Sequence, residues 1–309
     1  MYTFISSQDK KKLHTEYLSL FKKDLDNVWK NKVASCQLLN AAMLPGMTAK
    51  KLLVAEFRVL VNVYHYYINY VNGLSDYDKR IVQDAANDVF KYESYSKRIA
   101  DFLINPSNGY KISNCVYCDT VNVSTFPGHK RRIRRFQTDH VLNRGACPLV
   151  ALSLHNFVPS CNICNGANLK GTNTIGDTIE EIKHLSPTNP SYNFWHKVLF
   201  VVNPKYSWVS DNKKSEHPEH YEIDFYYKDK VYAKSVDLFC LKEKYNNDYL
   251  NKALELIDKK GTYTPVWVRD LANKTGQPYS KVYEDLFGID KDQLYRKATE
   301  DILGITDLY

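Results

Sequence analysis

The sequence predicts an α+β protein in three parts: a helical domain over 1–105, a compact cysteine-bearing module over 110–200, and a strand-plus-helix region over 201–309. Three observations carry this expectation. Helical periodicity fills the first third and returns in the last quarter. Between them Cys, Asn, Gly and Pro become dense and long periodicity disappears. Short β-rich pieces follow that stretch. The 309 residues leave room for two modest domains or one elaborated one, with a core large enough to need no disulfides. Hydrophobic residues at 44% and charged residues at 25% exclude wholesale disorder. The 24 tyrosines suit half-buried contact faces and name no activity.

The elements follow in order. Leu13, Tyr17, Leu20, Phe21, Leu25 and Val28 recur at helical spacing, and Pro45-Gly46 ends that pattern. A second run covers Met47 to Asn72, with Gly73 as its C-cap. Ser75, followed by Asp76 and Asp78, opens a third helix expected to reach Leu103. Asn105-Pro106-Ser107-Asn108-Gly109 is a turn cluster and the first boundary. Strands are expected at Val198–Val202, Tyr221–Tyr227 and Val231–Ala233, and helices at Val236–Lys260 and from Pro265 onward. Leu271–Gly276 followed by Tyr279–Leu286 loosely resembles a helix-turn-helix, a pattern that any two short helices joined by Gly share. No internal repeat is visible.

The opening residues lack a basic segment followed by an apolar one, so no secretory signal is expected. The most apolar stretch, Leu52 to Asn72, carries Glu56, Arg58, Asn62, His65 and Asn69, which are costly in a bilayer. It reads as a buried helix. The expectation is therefore a cytoplasmic chain with reduced thiols and no membrane partner. In that setting seven cysteines point to a metal before a disulfide.

Cys115-Val116-Tyr117-Cys118 and Cys161-Asn162-Ile163-Cys164 are two CxxC pairs. Four thiolates close a tetrahedral Zn²⁺ shell and leave no open position, so this zinc is expected to be structural. Cys36, Cys147 and Cys240 read as small apolar residues. His14 and His65 lie on helical patterns. His155 neighbours the cysteine module. His184, His196, His217 and His220 show no ligand-like spacing to one another.

Between the pairs lie Phe136-Gln137-Thr138-Asp139-His140-Val141-Leu142 and Leu154-His155-Asn156-Phe157-Val158-Pro159-Ser160, and Asn165-Gly166 follows Cys164. This order resembles the HNH endonucleases, the ββα-metal nucleases, over about residues 110–175. The resemblance implies zinc knuckles stapling a hairpin to a helix, with a nuclease site across them. It implies one Mg²⁺ or Mn²⁺ ion held by Asp139 and Asn165, with Asn156 holding the hairpin and orienting the base. It also implies products with 5′-phosphate and 3′-hydroxyl ends. His140 is the natural general base, because neutral imidazole accepts a proton from water near pH 7. A hard oxygen pair suits Mg²⁺. Two departures stand out. Where the family often has Lys or His three residues past Asn165, this chain has Asn168, with Lys170 two further on. The segment from Asp119 to Thr138 is also long.

That segment holds Lys130, Arg131, Arg132, Arg134 and Arg135, five basic residues in six positions without an acid. With Lys170 they are the expected nucleic-acid contacts, non-specific and salt-sensitive. A net charge of +7 permits such a polyanionic partner. The leading expectation is a DNA endonuclease acting on double strands in restriction or phage defence, whose N-terminal helices bind a partner subunit, make a homodimer or hold the target. Two alternatives stand beside it: an RNA-cleaving effector, and an inactive zinc-stabilised nucleic-acid-binding module.

Overall fold

The computed structural model describes residues 6–129, 132–289 and 296–304. It is a mixed α+β fold whose sheets, among the described residues, are three separate two-stranded antiparallel pairs. The chain divides into two compact units. One comprises Met1–Tyr117 and Val123–Tyr192, the other Cys118–Asn122 and Asn193–Tyr309. The turn cluster at 105–109 thus falls inside the first unit. Its middle forms a 3₁₀ turn, Pro106–Asn108, closed by Gly109 at φ 70°. The N-terminal helices share a core with the cysteine module: Tyr17 Oη donates to the Leu152 carbonyl at 2.8 Å, and Ser153 Oγ donates to the Leu52 carbonyl at 2.7 Å.

The first unit begins with helices α1 (Lys10–Leu18), α2 (Leu25–Ser35), α3 (Gln37–Ala41), α4 (Ala49–Val54), α5 (Phe57–Asn72), α6 (Asp76–Val89) and α7 (Ser96–Ile104). Strands β1 (Thr125–Pro127), β2 (Arg132–Arg134), β3 (Gln137–His140) and β4 (Phe157–Ser160) follow, then α8 (Asn162–Asn165) and α9 (Ile179–Leu185). The run expected from Met47 to Asn72 is two helices, and the Leu52 carbonyl left without a helical partner near the end of α4 accepts from Ser153 Oγ. The chain turns extended at Ala55 and Glu56, and the acidic side chain pairs with Lys10 and Arg58. Ser75 caps α6 as expected, its Oγ accepting from Asp78 N at 3.2 Å. The helix then ends at Val89, and α7 follows as a separate element. Leu13, Tyr17, Leu25, Trp29, Leu52, Phe57, Leu60, Tyr67 and Ile99 form the buried side of this bundle.

The second unit carries α10 (Phe194–Lys197), β5 (Val198–Pro204), β6 (Tyr221–Tyr227), α11 (Ala233–Leu238), α12 (Leu241–Asp248), α13 (Leu250–Thr262), α14 (Pro265–Thr275), α15 (Tyr279–Phe287) and α16 (Arg296–Ile302). β5 pairs with β6 from Val198↔Tyr227 to Pro204↔Tyr221. The strand expected at Val231–Ala233 is instead a 3₁₀ turn, Lys230–Tyr232, nucleated by Asp229 accepting from Val231 N. Gly276, at φ 68°, joins α14 to α15, so the expected helix pair is present. No helix among the described residues is long and apolar enough to cross a membrane.

Candidate active site and metal centre

β3 and β4 pair in register Gln137↔Ser160, Thr138↔Pro159, Asp139↔Val158 and His140↔Phe157. The strand period of two sends Asp139 and His140 to opposite faces, and Asp139 alone of the four β3 residues is buried. The connection 141–156 is long, and its polar turn, at Asn143-Arg144-Gly145, lies near its start. The buried Asn156 amide closes it: Oδ1 accepts from Leu142 N at 2.7 Å, and Nδ2 donates to the Leu142 and Val150 carbonyls at 3.1 and 3.0 Å.

That loop also fixes His140. Its Nε2 lies 3.0 Å from the Ala151 carbonyl, and its ring packs edge-on to Tyr92 and Phe157, with centroids at 4.6 and 4.9 Å. A carbonyl only accepts, so Nε2 carries the hydrogen and Nδ1 keeps the lone pair. Burial pushes the pKa down to about 3. The Ala151 carbonyl opposes that shift, and the positive charges of Arg144 and Lys170 reinforce it. The ring is therefore a neutral acceptor across the physiological range.

Asp139 has partners on both oxygens. Tyr117 Oη donates to Oδ2 at 2.6 Å, and Lys170 Nζ stands 3.1 Å from each oxygen. Lys170 Nζ also donates to the His140 carbonyl at 2.7 Å and is itself buried. Burial raises the Asp139 pKa, with the Lys170 charge and the Tyr117 hydroxyl opposing. Lys170, expected on a phosphate, is thus placed inside, where a carboxylate and a carbonyl compensate the ammonium.

Asn165 ends α8, and its Nδ2 donates to Gln137 Oε1 at 2.8 Å. Asp139, His140 and Asn165 line one cavity of about 470 Å³, together with Tyr92, Thr138, Asn143, Arg144, Ala167, Gly171, Thr172 and Asn173. Asn168 is exposed and is not among these. As oxygen donors, Asp139 and Asn165 suit Mg²⁺ or Mn²⁺. The charge arrangement does not: an ammonium 3.1 Å from both Asp139 oxygens already neutralises the carboxylate and repels a second cation. With Lys170 in place the pair does not fit a divalent ion.

The four cysteines do fit one. The Sγ atoms of Cys115, Cys118, Cys161 and Cys164 all lie within 4.8 Å of one another, and all four residues are buried. Zn–S bonds of about 2.3 Å in a tetrahedron place sulfurs about 3.8 Å apart. Hydrogen-bond donors aimed at three of the sulfurs favour thiolates: Cys161 N to Cys115 Sγ at 3.3 Å, Cys164 N to Cys161 Sγ at 3.4 Å, and Thr120 Oγ1 to Cys118 Sγ at 3.2 Å. This buried group is compatible with structural zinc.

Of the basic run, Lys130 and Arg131 lie outside the described residues. Arg132 and Arg134 sit on exposed β2, paired with β1. Arg132 Nη2 donates to Thr125 Oγ1 at 3.1 Å, while the Arg134 and Arg135 guanidinium groups lie 5.8 and 5.0 Å from the Phe136 and Phe126 rings. Arg132 and Arg134 line a second cavity of about 350 Å³ with Lys97 and Asp101 of α7.

Sequence reasoning missed Tyr92, Tyr117 and Arg144. Arg144 lines the His140 cavity with its guanidinium 4.6 Å from the Tyr92 ring, and it pairs with Glu93 at 2.7 Å. Its place four residues past His140, in a polar Asn-Arg-Gly turn, was the available signal. Tyr92 carried none, because only tertiary packing brings it there.

No family model matches the chain. No curated protein and no solved structure matches it either.

Proposed function

We propose that this chain is an HNH-type endonuclease that hydrolyses phosphodiester bonds in DNA, in a restriction or phage-defence setting. One observation carries the reading: Ala151 holds His140 in the neutral tautomer that leaves the Nδ1 lone pair free, in a residue that lines a cavity with Asp139, Asn165 and Arg144. His140 Nδ1 takes the proton from the attacking water. Arg144 faces the same space with a charge suited to a phosphate oxygen. Asn156 positions His140 by holding the loop that carries Ala151. The exposed β2 arginines add backbone contacts that weaken with salt. The resemblance implies Mg²⁺ or Mn²⁺, but the Asp139–Lys170 pair does not fit such an ion, and no step of this reading runs through one.

The test is cleavage of supercoiled plasmid by the wild-type chain with Mg²⁺, with EDTA, and by His140→Ala. Nicking that needs His140 supports the nuclease, and the EDTA arm decides the metal. Cleavage undiminished in His140→Ala overturns the reading. The buried Lys170–Asp139 pair favours one second reading, a zinc-stabilised nucleic-acid-binding module without catalysis. Salt-sensitive DNA binding without cleavage of DNA or matched RNA would establish it. Cleavage of RNA alone would move the substrate class.

A further inference from the structure

The link between β5 and β6 in the second unit carries His217, Glu219 and His220. Two successive 3₁₀ turns, Lys214–Glu216 and Pro218–His220, shape it. His220 N donates to the His217 carbonyl at 3.0 Å, the three-residue bond of a 3₁₀ turn. Side chains three apart then eclipse, and the His217 and His220 rings stack with centroids 5.2 Å apart at 15°. Both ends of the link are anchored. The Asp258 carboxylate accepts from Lys214 N, Ser215 N and Ser215 Oγ at 2.9, 2.8 and 2.6 Å. The His220 carbonyl accepts from Lys205 N at 2.8 Å.

Three ligand atoms converge here. Glu219 Oε1 lies 3.5 Å from His217 Nδ1 and 3.7 Å from His220 Nε2, and the ligand atoms of all three residues lie within 4.8 Å of one another. His220 Nδ1 lies 3.0 Å from Asp211 Oδ2. A carboxylate oxygen only accepts, so this contact puts the hydrogen on Nδ1 and leaves the Nε2 lone pair beside Glu219. A lone pair and a carboxylate facing the same point are two donors that one metal cation can share. A proton on Nε2 would make a poor hydrogen bond across 3.7 Å. A tetrahedral zinc with Zn–N bonds of about 2.0–2.1 Å sets its ligands about 3.3–3.4 Å apart, close to both spacings. Asp211 supplies the outer carboxylate that orients a metal-bound imidazole.

We propose that His217, Glu219 and His220 form a second metal site, distinct from the four-cysteine group, that takes Zn²⁺ or a similar borderline divalent ion. Three protein ligands leave the fourth position to water. The sequence spacing of His217 and His220 does not look ligand-like, but the 3₁₀ turn brings residues three apart face to face.

The experiment is a calorimetric titration of Zn²⁺ into the full chain whose four-cysteine group already holds zinc. One further ion per chain is expected. His220→Ala and Glu219→Gln should weaken its binding at least tenfold, and Asp211→Asn about 10- to 100-fold. A Co²⁺ titration gives an independent readout. The second ion should show ligand-field bands without sulfur charge transfer, and it should quench Trp208, whose ring centroid lies 5.3 Å from that of His220. No saturable second ion, or one that persists unchanged in both His220→Ala and Glu219→Gln, overturns the proposal. Should His220→Ala alter the far-ultraviolet spectrum, Glu219→Gln alone decides, because that exposed substitution removes the charge and keeps the shape.

Discussion

His140 and Lys170 show how burial changes what a residue can do. Burial depresses His140 to about 3 and His155 to about 4, against an unfolded value near 6.5. Between those values the unfolded chain binds protons that the folded chain refuses, so stability is full above pH 6.5 and falls as the pH drops toward 4. Each ring contributes a slope of up to about 1.4 kcal/mol per pH unit. Urea midpoints measured from pH 7 to pH 4 should decline accordingly; a flat series would remove the argument. The same depression predicts that any cleavage kcat/KM has no acid-side inflection near pH 6.5, since protonation of the free base comes far lower. Lys170→Met should destabilise the chain by about 3–5 kcal/mol, because it leaves Asp139 buried and charged. The double change with Asp139→Leu should cost less than Lys170→Met alone, and chemical denaturation of both variants checks this. In the nuclease reading Lys170→Met alone also tests whether Lys170 holds off a divalent ion, through the Mg²⁺ dependence of cleavage.

At the element scale, the β3–β4 hairpin depends on Asn156 more than on strand propensity. Its amide makes three buried hydrogen bonds to the connection that presents Ala151 to His140. Asn156→Ala strands those backbone groups, at about 1–3 kcal/mol for each buried group left unpaired, and frees the His140 ring. The expected outcome is a lower melting temperature together with a His140 pKa nearer 6.5, read by histidine NMR. A lower melting temperature with an unmoved pKa would separate the loop from the ring. The helices show the reverse dependence. Ser75 and its following acids mark the start of α6 locally, whereas a carbonyl near the end of α4 is satisfied by Ser153, a hundred residues away in sequence.

For the whole molecule the cysteine group is the strongest constraint. Four buried thiols left without an ion must protonate and lose their common centre. Chelation, or Cys161→Ser, should release zinc measurable by atomic emission and lower the melting temperature by several degrees; a metal-free chain of unchanged stability would rule out a structural ion. The surface charge acts over longer range. An excess of +7, with Arg132 and Arg134 exposed on β2, favours a polyanion without specifying it.

The two CxxC pairs, the Asp139-His140 strand, the β6 bounds and the Ser75 cap were legible in the sequence, because each depends on spacing or on chemistry within a few residues. The tertiary structure alone decided the rest. Lys170 reads as a surface base until the fold buries it against Asp139. Tyr92 reaches His140 only because the helices and the cysteine module share a core. His217 and His220 become neighbours only because the chain there turns as 3₁₀. In each case the deciding contact joins groups whose meeting depends on backbone geometry or on distant packing, and neither is encoded in local residue pattern.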